Sequence, residues 1–128
     1  MNWYKGNIEE ETLKNNYFRK VLFTGKHAQL VVMCLKPGEE IGLEAHENVD
    51  QFFRFEKGSG KVIVNGEGKT VNDGDAVIVP ASSEHNIVNA SVSQDLKLYT
   101  IYSPPNHPDG TVHKTKAEAD KAEEHESH

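Results

Sequence analysis

The chain has 128 residues, room for one domain with a modest core. Acidic residues outnumber basic ones 20 to 14, and the net charge of −6 argues against nucleic acid and anionic membrane surfaces as partners. No apolar run approaches the roughly 18 residues that cross a bilayer. With no basic-then-apolar start and one cysteine, Cys34, a cytoplasmic setting without internal disulfides is expected.

In chain order, residues 1–16 are polar with Trp3 and Tyr4 embedded, and they read as an arm that packs across the domain or a partner subunit. Residues 17–113 form the predicted barrel. Short β-branched or aromatic runs ("YFRKVLF", "QLVVMCL", "QFFRFE", "KVIV", "AVIVP", "LKLYTIY") alternate with Gly-, Asn- and Pro-rich turns such as "KPGEE", "VNGEGK" and "NDGD". Short strands at this regular spacing predict an all-β sandwich or barrel. Asn65-Gly66 is the pair that two-residue hairpin turns favour, because both positions need positive φ. Cys34 lies inside an apolar strand and reads as a buried spectator thiol. Asp73 and Asp75 flank Gly74 as turn formers, and His27 reads as a loop residue.

After the last strand, "YSPPNHPDGTVHK" is a proline-rich exit in which His107 and His113 are expected to fix a turn, with leaning over the barrel mouth as the alternative. Residues 114–128, "KTKAEADKAEEHESH", favour helix by propensity but carry no apolar stripe. They are expected to form a short solvated helix, with His125 and His128 facing water.

The chemistry concentrates in "IGLEAHENVDQFFRF", residues 41–55. Read as extended chain with period two, Glu44 and His46 share a face opposite Leu43 and Ala45. That spacing lets both side chains close on one metal ion. Asp50 and Gln51 compete as a third donor. Asp is the stronger ligand, but turning Asp50 inward would also bury Arg54 and Glu56, at several kcal/mol each unless paired. Turning Gln51 inward buries Phe53 and Phe55 instead, so Gln51 is the expected donor. His85, after the "PASSE" turn, shares a face with Ile87 and Asn89 and supplies a fourth candidate. Tyr102 lies on one face with Leu96, Leu98 and Thr100, where its hydroxyl could serve as a donor or acid.

These positions resemble the two motifs of the cupins, a family of small β-barrels. The first, G-x5-H-x-H-x3,4-E-x6-G, falls on Gly38, Glu44, His46, Gln51 and Gly58; the second, G-x5-P-x-G-x2-H-x3-N, falls on Gly74, Pro80, Ser82, His85 and Asn89. The resemblance implies a single cupin barrel, a double-stranded β-helix or jelly roll. It departs at three places: Glu44 for the first His, Gln51 for Glu and Ser82 for the middle Gly. Carried over residue by residue, it implies a site of Glu44, His46, Gln51 and His85 holding one divalent ion. Oxygen and imidazole donors suit manganese, iron, nickel, cobalt or zinc.

On this reading the chain is a small metalloenzyme acting on an oxygen-chelating, anionic small molecule, by dioxygenase or by isomerase or lyase chemistry. Glu44 is then a ligand that can double as general base, and Tyr102 is a further catalytic candidate. A non-catalytic small-molecule or metal-binding module is the alternative, and a barrel filled by side chains is a third. Exposed strand edges in small barrels favour a homodimer.

Overall fold

The structure is a computed structural model; it describes residues 2–126, with side chains considered as far as residue 123. Nine strands and two helices follow one another: α1 Ile8–Lys14, β1 Arg19–Thr24, β2 Gln29–Leu35, β3 Asp50–Lys57, β4 Ser59–Val64, β5 Glu67–Asn72, β6 Ala76–Val79, β7 His85–Val88, β8 Leu96–Ser103, β9 Val112–His113 and α2 Lys116–Glu126. A six-stranded sheet runs β6-β3-β8-β2-β1-β9 and faces a three-stranded sheet, β5-β4-β7. All pairings between named strands are antiparallel. This is the expected all-β barrel.

Alternation decides which side chains enter. On β3, Gln51, Phe53 and Phe55 are buried while Asp50 is exposed and Arg54 pairs with Glu56 at 3.0 Å. Asp50 instead accepts a hydrogen bond from the Ala81 amide at 2.8 Å, pinning the turn before β7. The strand register then stacks the large sheet's inner face in rows. Arg19, Met33, Leu98 and Phe55 form one row, and Val21, Val31, Thr100, Phe53 and Val77 the next. Beyond them, Thr24, Gln29, Tyr102, Gln51 and Val79 lie abreast. The barrel is therefore apolar through much of its depth and polar at one end. Phe53 and Phe55, fully buried and stacked at 6.5 Å, anchor the apolar part. Truncating either to Ala would cost about 3–5 kcal/mol.

The predicted hairpin is present. Val64 pairs with Glu67 across Asn65 (φ 47°) and Gly66 (φ 84°), a two-residue turn with both central residues left-handed. Cys34 is buried on the outer face of β2, its backbone amide bonded to Tyr17 and Phe18 carbonyls, and burial pushes its thiol pKa up.

Both ends differ in detail from the sequence reading. Residues 8–14 form a helix capped by Asn7, whose side chain accepts from the Glu10 amide at 3.0 Å. It lies against β2, β3 and β8, and the carbonyl of Leu13 receives Lys97 Nζ at 2.7 Å. The C-terminal segment is helical, as expected, but it is docked rather than solvated on all sides. Ala119 is 2% exposed and belongs to the core cluster, and Lys116 Nζ donates to the Ile41 carbonyl at 3.2 Å. One small residue and one snorkelling lysine make the contact, so no apolar stripe announces it. The His125 side chain and the whole of His128 lie outside the described part of the chain.

Candidate functional site

Glu44 and His46 sit in the loop joining β2 to β3, not on a regular strand. The period-two reading nevertheless holds locally, because the Glu44 backbone forms a single antiparallel bridge with His85. Its amide donates to the His85 carbonyl at 2.9 Å, and the His85 amide returns a bond of 2.8 Å. Leu43 and Ala45 accordingly point to solvent. The loop is clamped from the other side by Ser82, whose amide donates to the His46 carbonyl at 2.8 Å and whose hydroxyl donates to the Glu47 carbonyl at 2.9 Å.

Around His46 the predicted residues gather. Its Nε2 lies 3.2 Å from Glu44 Oε2, and its ring lies 5.5 Å from the His85 ring and 6.0 Å from the Tyr102 ring, centroid to centroid. Gln51 stands beside Tyr102 in the register of β3 with β8 and donates through Nε2 to Thr100 Oγ1 at 3.0 Å. His85 holds the Ser83 carbonyl against Nδ1 at 3.0 Å. With a proton on Nδ1, its Nε2 lone pair is left available, the arrangement that orients ligating histidines.

Two atoms here are buried without a hydrogen-bond partner: His46 Nε2, which meets Glu44 off the line of a hydrogen bond, and Gln51 Oε1. Buried polar atoms are rarely left so, and each such atom costs about 1–3 kcal/mol. Gln51 Oε1 carries lone pairs, and His46 Nε2 offers one when the ring proton sits on Nδ1. As they stand, no three His, Cys, Asp or Glu side chains among the described residues are gathered into a cluster that could hold a metal ion. The convergence is pairwise: Glu44 with His46, and His46 with His85, while Gln51 lies abreast of Tyr102.

Burial alone would raise the Glu44 carboxyl pKa. The polar contact and charge of His46, with the charges of Arg19 and His85, outweigh it and hold the group below its ordinary value. For Tyr102, burial dominates and pushes the hydroxyl well up, so it is a hydrogen-bonding group and a weak acid.

Two residues near this site, Gln29 and Arg19, carry no signal that marks them as functional, and His107 takes on the second of its two expected roles. His107 does not merely fix a turn. Its ring packs edge-on against Tyr102 at 5.1 Å, with Nε2 3.2 Å from the Tyr102 hydroxyl. Gln29 puts it there by accepting from the amides of Asn106 and His107 and donating to the His107 carbonyl. Burial, then the nearby Arg19 charge, drives the His107 pKa down to about 3. Arg19 is 1% exposed, and its NH1 lies 3.2 Å from Nδ1 of His113. The available signal was alternation in "YFRKVLF": if Val21 faces the core, so does Arg19.

The chain is thus a two-sheet antiparallel barrel with a group of polar side chains at one end. The cupin-domain family model matches residues 31–102, and the chain belongs to the cupin family. Cupins include both metalloenzymes and non-catalytic modules. The chain is 50% identical over 125 residues to the uncharacterized protein YrkC of Bacillus subtilis, covering 92% of this chain and 66% of that protein. It is 45% identical to the uncharacterized protein L612 of Acanthamoeba polyphaga mimivirus, over 85% of this chain and 70% of that one. The crystal structure of BH2720 from Bacillus halodurans is similar with a TM-score of 0.89 and 45% identity, over 92% of this chain and 93% of that one.

Proposed function

We propose that this chain is a metal-binding cupin in which Glu44, His46, Gln51 and His85 hold one divalent ion, and that it acts on a small oxygen-chelating molecule. The observation that carries the reading is the pair of buried, unpartnered polar atoms at this end of the barrel, His46 Nε2, which lies 3.2 Å from the Glu44 carboxylate, and Gln51 Oε1. A divalent cation is the partner that would satisfy both at once. Bound there, the ion would supply Lewis-acid polarisation of a substrate oxygen, or redox chemistry if it is iron or manganese.

The chain's own residues supply the rest. Glu44, kept ionised, can accept a proton from a carbon or hydroxyl next to the chelating oxygen. Tyr102, with His107 against its hydroxyl, presents a hydrogen bond and orients the ligand rather than acting as an acid at neutral pH. Phe53, whose ring meets His85 at 6.1 Å, walls the site from the apolar part of the barrel. Dioxygenase chemistry and isomerase or lyase chemistry both suit this arrangement. A non-catalytic binding role is the second reading, supported by the lack of a ready three-ligand cluster among the described residues. A homodimer belongs to the same proposal; it is supported by the exposed Trp3 and by Ile78, 68% exposed on edge strand β6.

Elemental analysis of Glu44→Ala beside the parent protein tests the site. The variant should lose the ion; a variant that keeps its full complement would remove Glu44 from the coordination set.

A further inference from the structure

Arg19 is the least accounted-for charge in the molecule. Its side chain is among the largest fully buried ones, its Nε is buried with no hydrogen-bond partner, and no ion pair among the described residues includes it. Its close contacts are soft, the His113 ring nitrogen at 3.2 Å and the face of Phe18, 5.3 Å from the guanidinium carbon, while the carboxylates of Glu44 and Glu123 feel its charge without pairing with it. Removing a guanidinium from water without an anion is costly enough that buried arginines are ordinarily paired. A lysine in its place could shed its proton, whereas arginine keeps its charge at any physiological pH.

Placement sharpens the point. Arg19 enters the barrel from β1 in register with Met33, on the face that also carries Gln51 and Tyr102 and two rows along the strands from them, a span that its long side chain shortens. It is close enough to Glu44, Tyr102 and His107 to perturb the charge of each. The scaffold therefore keeps a permanent cation within electrostatic range of the proposed ligand set, with a planar donor edge unused. The partner that fits a planar N–H edge is a carboxylate, which guanidinium binds through parallel hydrogen bonds.

We propose that Arg19 is the carboxylate-recognition residue of the barrel: the ligand is a small organic acid whose carboxylate seats on Arg19 while a second oxygen faces Glu44, His46, Gln51 and His85. This rests on the site reading above for the second oxygen, but the Arg19 contact stands without a metal. It also narrows the substrate class from any oxygen chelator to 2-hydroxy acids, 2-oxo acids and short dicarboxylates. The neutral enols and diketones that the ligand set alone would admit are disfavoured.

The chain has only two arginines, Arg19 inside the barrel and Arg54 on the outer face paired with Glu56, so the second is an internal control. Protein carrying ¹⁵N-labelled arginine is titrated with acetate, lactate and oxalate, and with lactamide as the neutral counterpart, both without metal and after loading with zinc, which is diamagnetic and leaves the resonance readable. The expected result is a saturable shift of the Arg19 Nε–H resonance with the acids, none with lactamide, and no shift of Arg54. Arg19→Met should weaken acid binding by at least about tenfold, the usual scale for a lost charge-assisted hydrogen bond. Arg19→Lys, which keeps the charge, should fall in between and serves if the Met variant does not fold.

An Arg19 resonance unmoved by all three acids at tens of millimolar would overturn the proposal, and so would a folded variant that binds them as the parent does. The two readings fail separately. An Arg19 response in protein that takes up none of manganese, iron, cobalt, nickel or zinc sinks the metal site alone. Uptake of one of these metals with no Arg19 response sinks only the carboxylate contact.

Discussion

Ser82 holds φ at 72°, a left-handed conformation that costs a non-glycine residue about 1–2 kcal/mol, at the position where the cupin motif has glycine. Its hydroxyl offsets this by holding the Glu47 carbonyl, which fixes the loop carrying His46. Ser82→Ala keeps the strain and loses the bond, so urea denaturation should show a loss of about 1 kcal/mol. Ser82→Gly loses both together and should fall within about 0.5 kcal/mol of the parent. Equal stabilities for the parent and the Ala variant would contradict the clamp. At the same scale, His107 is neutral in the folded state because burial lowers its pKa from 6.5 to about 3. The unfolded chain therefore takes up a proton first as pH falls, and the stability present above about pH 6.5 is lost progressively down to about pH 3. His107→Gln should flatten that part of the stability profile, by on the order of a few kcal/mol at its acid end. An unchanged slope would show that His107 titrates normally.

Among the elements, the β3–β4 junction is the tightest. Gly58 has φ 92°, and a Cβ there would lie 2.4 Å from the Asp95 carbonyl oxygen, so Gly58→Ala should cost about 2 kcal/mol or more in chemical denaturation. Among the described residues, Ala119 and Lys116 make helix α2's contacts with the barrel core and the β2–β3 loop. Ala119→Asp would bury a carboxylate against the barrel and should expose residues 116–126 to rapid amide exchange while the strands stay protected. Unchanged protection of the helix would show that it is anchored elsewhere. Legibility in the sequence followed the same physics. Strand β2 could be read directly because Val31, Met33 and Leu35 face the core and Val32 and Cys34 are covered from outside. Strand β5 could not, because only Val71 of its six residues is buried, and α1 and α2 each dock through one small buried residue, Thr12 and Ala119. Inward placement of Gln51 followed from the cost of burying Arg54 and Glu56 unpaired; on the opposite face of β3 they pair with each other at 3.0 Å, with the Glu56 side chain only 7% exposed. Arg19 broke the rule that charged residues stay out, which is why it was passed over.

For the molecule as a whole, the account joins a barrel packed apolar through much of its depth to a polar end built from two distant segments, the β2–β3 loop and β7. The bridge between Glu44 and His85 is where the two meet. Sedimentation should return a particle of about twice 14.3 kDa if the exposed Trp3 and Ile78 mark a homodimer, and a monomer mass would remove that part. The central claim is that Glu44, His46, Gln51 and His85 share one divalent ion. Elemental analysis of protein purified without an affinity tag, and without added metal, tests it most directly. The account predicts close to one equivalent of a first-row divalent metal per chain; a metal-free protein that takes up none on reconstitution with manganese, iron, cobalt, nickel or zinc would contradict it.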